Sequence, residues 1–340
     1  MKSQPRSTIV GIAIGSLLIN APRSLAIQVV PGEIVEDSIA RLYAYNQPDE
    51  LVEKLRQQEQ KISCQNSSKS DRQKTHFQTW INRAIALQQH QKYSESLFCL
   101  DRALAIETKS QQAWYRRAIA LSHLKQYSLA VEAYQKAIEI NPQEHTSWYN
   151  LGNAYKHLGQ YQQALKAYRQ AIALKSDFPA AHYQTGRVMA KIGRYEEAIE
   201  AYKETTDIDP EYHRAWYSWG NLLHRRKRYN DAIAIYQQAL EYKAQYRVWY
   251  NLGNIYLQQK NYQKAISAYE AAVELKPDYA SAWNNHGVAL EALKKIDAAL
   301  KSYSQALQVN PNSKKALGNQ QRLLLRVSEN SDTAAYSRSN

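Results

Sequence analysis

The chain has 340 residues, and its 44 Lys and Arg against 31 Asp and Glu give a formal net charge of +13. A composition of 44% hydrophobic and 22% charged residues excludes a wholly disordered chain, and two cysteines exclude a disulfide-rich scaffold or a four-thiolate zinc site. Eleven Gly and nine Pro exclude collagen and a flexible linker protein, and the basic balance points to anionic partners without specifying a fold.

Lys2 and Arg6 precede a short apolar stretch, Thr8 to Ile19, and Ser24-Leu25-Ala26 places small residues where an export signal is cut. Residues 1–26 therefore read as a signal peptide, which predicts an exported chain in a periplasm or equivalent lumen. The alternative is a retained anchor, although the apolar stretch is shorter than the roughly 20 residues of a spanning helix. Cleavage would leave a net charge of +10. Residues 27–76 read as an N-terminal helical segment and linker. Glu33 to Tyr45 and Asp49 to Ile62 are two helices broken at Pro48, and Ser63 to Lys74 is a polar linker. The two helices cap the region after residue 76 or form a separate hook.

Beyond residue 76 the chain repeats. Trp80, Trp114, Trp148, Trp216, Trp249 and Trp283 are spaced 34, 34, 68, 33 and 34, and His182 stands in the missing slot. This spacing divides the chain into seven units: 77–110, 111–144, 145–178, 179–212, 213–245, 246–279 and 280–313. Each has two helical stretches with apolar residues three and four apart, as in Trp148, Leu151, Tyr155 and then Ala164, Tyr168, Ala171. Gly152, Gly186, Gly220, Gly253 and Gly287 recur in the first helix, and Ala130, Ala164, Ala198, Ala232, Ala265 and Ala299 in the second. These small residues stand where helices approach closely. Tyrosines begin the second helix (Tyr127, Tyr161, Tyr195, Tyr229, Tyr262) and fill its middle (Tyr134, Tyr168, Tyr202, Tyr236, Tyr269, Tyr303). Pro142, Pro210, Pro277 and Pro311 end it. No unit can bury its stripes alone, so the units stack.

Two units depart from the pattern. The fifth is one residue short in its exit linker and lacks the proline, which predicts a changed angle between units five and six. The first is degenerate, with Arg83, Ser96, Leu100 and Thr108 at signature slots. Residues 314–328 read as a C-terminal capping helix with Ala316, Leu317, Leu323, Leu324 and Val327 inward and Lys and Arg outward. Residues 329–340 read as a disordered tail.

The block from Trp148 to Lys175, WYNLGNAYKHLGQYQQALKAYRQAIALK, carries the W-x2-L-G-x2-Y, A-x3-F and proline signature of the tetratricopeptide repeat, with Tyr in the Phe slot. The chain is thereby similar to exported bacterial members of that family. The resemblance implies an all-α, right-handed superhelical solenoid of seven tandem helix hairpins with a C-terminal capping helix. It also implies that first helices line a concave groove for extended peptides, through unit positions 2, 5, 6, 9, 12 and 13.

Those positions hold Arg116, Lys156, Arg187, Lys191, Arg214, Arg225 and Arg247, with His123, His157 and His224 and a single acid, Glu291. Tyr115, Tyr149, Tyr183, Tyr217 and Tyr250 form a row at position 5. Asn150, Asn251 and Asn285 stand at position 6, and Asn153, Asn221 and Asn254 at position 9. Asparagine can pair with a peptide backbone as donor and acceptor together, and tyrosine adds flat apolar area with a hydroxyl. A solvated face and plain repeat consensus are the competing structural readings of these charges and rows. The asparagine row resembles the ladder in the repeat arm of O-linked N-acetylglucosamine transferases, although Arg116, Gln184 and Ser218 interrupt it and no transferase domain is present. The carboxylate clamp of chaperone-binding members needs Lys at position 5, where this chain has Tyr.

No phosphate-binding glycine loop, H-E-x-x-H or G-x-S-x-G motif occurs. No enzyme activity, cofactor, metal or small-molecule substrate is expected. His123 and His157 share a phase in adjacent units, and they read as solvated groove residues ahead of a metal pair. His182 reads as a core residue. Cys64 and Cys99 read as free thiols or, in an oxidising space, as a pair. The expected function is a non-enzymatic scaffold that holds an extended or acidic segment of a partner protein, in an envelope or membrane assembly. The alternatives are a binder of anionic polymer (acidic glycan, with nucleic acid disfavoured by the signal) and a regulatory arm of a glycosyltransferase-type enzyme. Membrane contact is expected only through an uncleaved N-terminal segment.

Overall fold

The computed structural model describes the backbone of residues 69–338. The signal peptide, the two helices placed between 33 and 62, and Cys64 lie outside the described residues. Fifteen α-helices, and no strand, make up the described residues. The chain divides into two compact units between Lys109 and Ser110.

Among the described residues, the first unit contains one hairpin, α1 (Lys69–Gln89) and α2 (Tyr93–Ile106). Helix α1 includes residues 69–74 of the expected linker, since no Pro or Gly interrupts residues 69–89; residues 63–68 lie outside the described residues. Ile81, Ala84, Leu100 and Ala103 are buried. Cys99 is a buried free thiol whose pKa burial pushes up, which makes it a poor nucleophile.

The second unit contains six hairpins. They are α3 (Gln111–His123) with α4 (Tyr127–Ile140), α5 (His145–His157) with α6 (Tyr161–Leu174), and α7 (Pro179–Lys191) with α8 (Tyr195–Ile208). These continue as α9 (His213–Arg225) with α10 (Tyr229–Tyr242), α11 (Tyr246–Gln258) with α12 (Tyr262–Leu275), and α13 (Ala280–Ala292) with α14 (Ile296–Val309). Helix α15 (Lys314–Arg338) comes last.

Within each unit every helix packs on the next in sequence, and from α5 onward each first helix also touches the next first helix. No comparable contact joins successive second helices, so the first helices form the closer layer of the stack.

The hairpin turns share one device. The second residue beyond each first helix takes a left-handed conformation, and the amide after it reaches back to the carbonyl five residues earlier, as in Gln160 N to Tyr155 O (2.9 Å) and Arg228 N to Leu223 O (2.9 Å). Gly159 and Gly193 adopt this φ without strain, whereas Lys125, Lys227, Lys260 and Lys294 hold it at about +60°.

Within a hairpin the helices lock through glycine and tyrosine. A Cβ added at Gly152, Gly186, Gly220, Gly253 or Gly287 would lie 2.3–2.7 Å from the ring of the tyrosine sixteen residues later. Those rings, Tyr168, Tyr202, Tyr236, Tyr269 and Tyr303, are at most 3% exposed.

Between hairpins a second lock forms. The indole Nε1 of Trp148, Trp216 and Trp283 donates to the carbonyl of Pro142, Pro210 and Pro277, each at 2.9 Å. His182 repeats the bond with its Nε2 on Ser176 O at 3.0 Å. It is half-buried, so the expected core role is corrected to that of a latch on the turn, because imidazole can place a nitrogen where indole does. The shortened linker Lys243–Gln245 is extended where its counterparts turn, and Trp249 after it lacks this bond among the described residues.

The cap also departs from expectation. Helix α15 continues to Arg338 because no Pro or Gly comes after Gly318, so the tail expected over 329–340 is helical for most of its length. Ala316 and Leu323 are buried, but Leu317, Leu324 and Val327 are 42%, 49% and 38% exposed: the stripe facing α13 and α14 is narrower than the sequence pattern suggests.

One buried polar pair stands in the last hairpin, at a slot where α5 and α11 carry Leu151 and Leu252. His286 is 8% exposed, and its Nδ1 lies 3.0 Å from Ser302 Oγ. Ser302 donates its own proton to Ala298 O at 2.8 Å, so Nδ1 is the donor and the neutral ring leaves Nε2 bare, 3.6 Å from Glu270. Burial holds the imidazole pKa below its ordinary value, and Glu270 only partly opposes this. A neutral histidine in the fold that charges on unfolding contributes stability above about pH 6.5, lost as pH falls below it. The wild type is expected to lose up to about 1.4 kcal/mol per pH unit more than His286→Leu below that point, read from urea midpoints between pH 5 and 7.5. Parallel pH profiles for the two proteins would contradict this.

Candidate protein-binding face

Every candidate groove residue lies in the second unit, on first helices from α3 to α13. Most of the basic residues stay outside ion pairs. Arg187, Lys191, Arg214 and Arg225 are exposed, and none meets a carboxylate among the described residues. Arg247 is also exposed, but its Nε donates to its neighbour Tyr246 at 2.9 Å. Arg116 is half-buried on α3.

The acids behave differently. On α8, Glu197 pairs with Arg194, and Glu196 with Arg228 at 3.2 Å; Arg228 also holds Asp231 at 2.7 Å. The one acid at a groove position, Glu291, is taken by the cap: Arg322 and Arg326 of α15 each reach it at 3.0 Å, and Tyr303 donates to it at 2.9 Å. The sequence missed this because the spacing from α13 to α15 becomes meaningful only once the last helix is packed. With Glu291 neutralised, the face is positive along its length.

The asparagine and tyrosine rows have an internal role that the sequence left open. In three hairpins the buried tyrosine of the second helix donates to the position-9 asparagine: Tyr168 to Asn153 (2.9 Å), Tyr236 to Asn221 (2.7 Å) and Tyr269 to Asn254 (2.8 Å). Position 6 of the following hairpin adds a rung, with Asn251 Nδ2 on Asn221 Oδ1 (2.7 Å) and Asn285 Nδ2 on Asn254 Oδ1 (2.9 Å). Asn150 instead reaches the Tyr115 hydroxyl at 3.0 Å, and Ser218 lies 3.3 Å from that of Tyr183. The position-5 rings form part of the wall: Tyr149 packs on Tyr168 and Phe178, Tyr183 on Tyr202 and Tyr212, and Tyr250 on Tyr269 and Tyr279. Tyr183 is only 8% exposed, so its expected contact with a partner is corrected to a packing role. Tyr115, Tyr149, Tyr217 and Tyr250 remain half-buried.

One hydrogen-bond consequence bears on binding. Because a tyrosine hydroxyl and a second donor, Lys156 at Asn153 and an asparagine amide at Asn221 and Asn254, converge on each Oδ1, the amides are oriented with Nδ2 away from that junction.

A cavity of about 510 Å³ opens at the α3–α4–α5 end of this face, lined by His123, Tyr127, Asn150, Asn153, Lys156, His157 and Gln184 among others. Burial and the neighbouring Arg187 push the Lys156 ammonium down to about 8. His157 stacks flat on Tyr127 at 4.5 Å, and burial, with Lys156 and Arg187 nearby, lowers its pKa. No group of three or more potential metal ligands occurs among the described residues. No described helix is long and apolar enough to cross a membrane.

Comparison with known proteins agrees with this architecture. Two sequence profiles described as tetratricopeptide repeat match the chain, one over 112–144, 145–178, 246–279 and 280–313 and the other over 191–247, together more than half of its length. No curated protein matches it in sequence. Among solved structures, the C-terminal part of a TPR repeat-containing protein from Cytophaga hutchinsonii is 18% identical with a TM-score of 0.62, covering 70% of this chain and 98% of that one. A tetratricopeptide repeat protein from Parabacteroides merdae is 14% identical with a TM-score of 0.51, covering 74% and 99%. YrrB, a TPR protein with an unusual peptide-binding site, is 24% identical with a TM-score of 0.48, covering 56% and 99%. The in-phase profile matches, the glycine–tyrosine lock and the stacked hairpins make the chain a member of the tetratricopeptide-repeat family, whose general role is that of a protein-interaction scaffold.

Proposed function

We propose that the first-helix face of the second unit holds an extended, acidic segment of a partner protein, and that the chain does so as an exported scaffold in an envelope assembly. The observation that carries the binding reading is the contrast in pairing. The acids of α8 and Glu291 are matched by the protein's own arginines, while Arg187, Lys191, Arg214 and Arg225 stay exposed and unmatched by any carboxylate among the described residues. Unmatched like charges along one face repel each other unless an opposite charge arrives. The oriented asparagine amides add donors suited to main-chain carbonyls, which favours an extended segment over a folded surface. The export reading rests on the pattern of residues 1–26 alone.

Replacing Lys191, Arg214 and Arg225 together by Glu should weaken binding of an Asp/Glu-rich peptide at least about tenfold, by calorimetry at moderate salt. Unchanged affinity in the triple variant, with its helical circular dichroism intact, would sink the groove assignment. A polyanion is the competing ligand, and it would show a much steeper loss of affinity with salt than a short peptide does.

A further inference from the structure

Lys156 and Arg187 stand on successive first helices, α5 and α7, and converge on one neutral atom. Lys156 Nζ donates to Gln184 Oε1 at 3.0 Å, and Arg187 Nη1 to the same oxygen at 3.3 Å. The ammonium also donates to Asn153 Oδ1 at 3.3 Å. Two like charges are thus gathered at a single point with no carboxylate to separate them, since no acid lines the cavity and neither cation has an acidic partner among the described residues. Bringing these charges together is unfavourable: Lys156 is partly withdrawn from water, and Arg187 further disfavours its charged form. A structural role would be met more cheaply by one cation, or by Glu at position 184.

We propose that this cavity binds a phosphomonoester group. The inference rests on the peptide reading above when that group is carried by the partner segment, and stands apart from it when the group belongs to a small molecule.

The chemistry selects this anion class over a carboxylate. A carboxylate supplies one charge, whereas a phosphomonoester carries about −1.5 to −2 at pH 7 on a single compact centre, with three acceptor oxygens. Arg187 has four N–H donors beyond the one given to Gln184, and Lys156 has one beyond the two it uses, so a tetrahedral anion beside Gln184 can be bound by both. His157, stacked on Tyr127, lines the same space and adds a ring N–H donor, and His123 lines it as well. The volume, about 510 Å³, admits a phosphorylated side chain or a small phosphate ester.

Calorimetry on the full chain tests this with four probes: a phosphoserine peptide, its serine form, its Asp-Asp form, and phenyl phosphate. Gln184→Glu places a carboxylate of the same length between the two cations and should weaken binding of the phosphorylated probes at least about tenfold. The neutral pair Lys156→Met and Arg187→Gln should do the same, which guards against a folding defect in either protein. Phosphopeptide binding at least about tenfold tighter than its serine and Asp-Asp forms supports the proposal with a peptide source. Phenyl phosphate binding that is lost in Gln184→Glu, without any peptide preference, supports it with a free source, even if the acidic-segment reading has failed. Equal binding of the phosphoserine and Asp-Asp peptides, with no phenyl phosphate binding, overturns it, as does unchanged affinity for every phosphorylated probe in Gln184→Glu.

Discussion

Gly220→Ala is expected to destabilise the second unit by about 1–3 kcal/mol, and Gly318→Ala to stabilise the chain by about 0.5–1 kcal/mol, although both glycines sit inside helices. Helix propensity alone makes alanine the better residue at either site, by up to about 1 kcal/mol. Packing decides the sign. A Cβ at Gly220 would lie 2.3 Å from Cε1 of Tyr236, whose ring is 0% exposed and has nowhere to turn, while a Cβ at Gly318 meets nothing within 4 Å. The overlap must be relieved by parting α9 from α10, which loosens every contact between them. Ala118 occupies the equivalent slot opposite Tyr134 in the α3–α4 hairpin with both side chains buried, so the methyl is admitted only where the helices are already spaced for it. Thermal melts of the two single variants check this. Equal shifts of the same sign would show that the glycine–tyrosine contact does not hold the hairpin.

Asn221→Leu is expected to cost about 1–3 kcal/mol, the penalty of stranding a buried donor. Asn221 Oδ1 accepts from Tyr236 Oη at 2.7 Å and from Asn251 Nδ2 at 2.7 Å. Without it the tyrosine proton loses its acceptor, while Asn251 Nδ2 still reaches the phenol oxygen at 3.2 Å. Burial already holds the Tyr236 phenol pKa well above its ordinary value, so it cannot shed that proton instead. Removing the hydroxyl as well, in Asn221→Leu with Tyr236→Phe, should recover at least about half of the loss, because two apolar groups replace one stranded pair. Urea unfolding of the single and double variants gives the coupling. Additive losses would mean that the asparagines serve only the groove.

The basic face and the ladder differ in how legible they were. Arg187, Lys191, Arg214 and Arg225 could be placed on one face from their phase in the repeat, because a 34-residue period carries side-chain direction from one hairpin to the next. The commitment of Asn221 and Asn254 to Tyr236 and Tyr269 could not. It joins residues fifteen apart on two helices, and the same asparagine in the same phase would serve equally well to bind a peptide.

Sequence alone determined the repeat, its hairpin boundaries from residue 111 onward, the small-residue rows and the tyrosines that fill them, since these are set by helical period and side-chain volume. Tertiary packing decided which polar groups are spent internally. It gave Glu291 to Arg322 and Arg326, turned His182 into a latch on Ser176, and gathered Lys156 and Arg187 on Gln184. It also left Leu324 outside the cap. The physical reason is one of range. Apolar burial is read along a helix, whereas a hydrogen bond or charge pair is settled within about 3 Å by whichever groups neighbouring helices bring together.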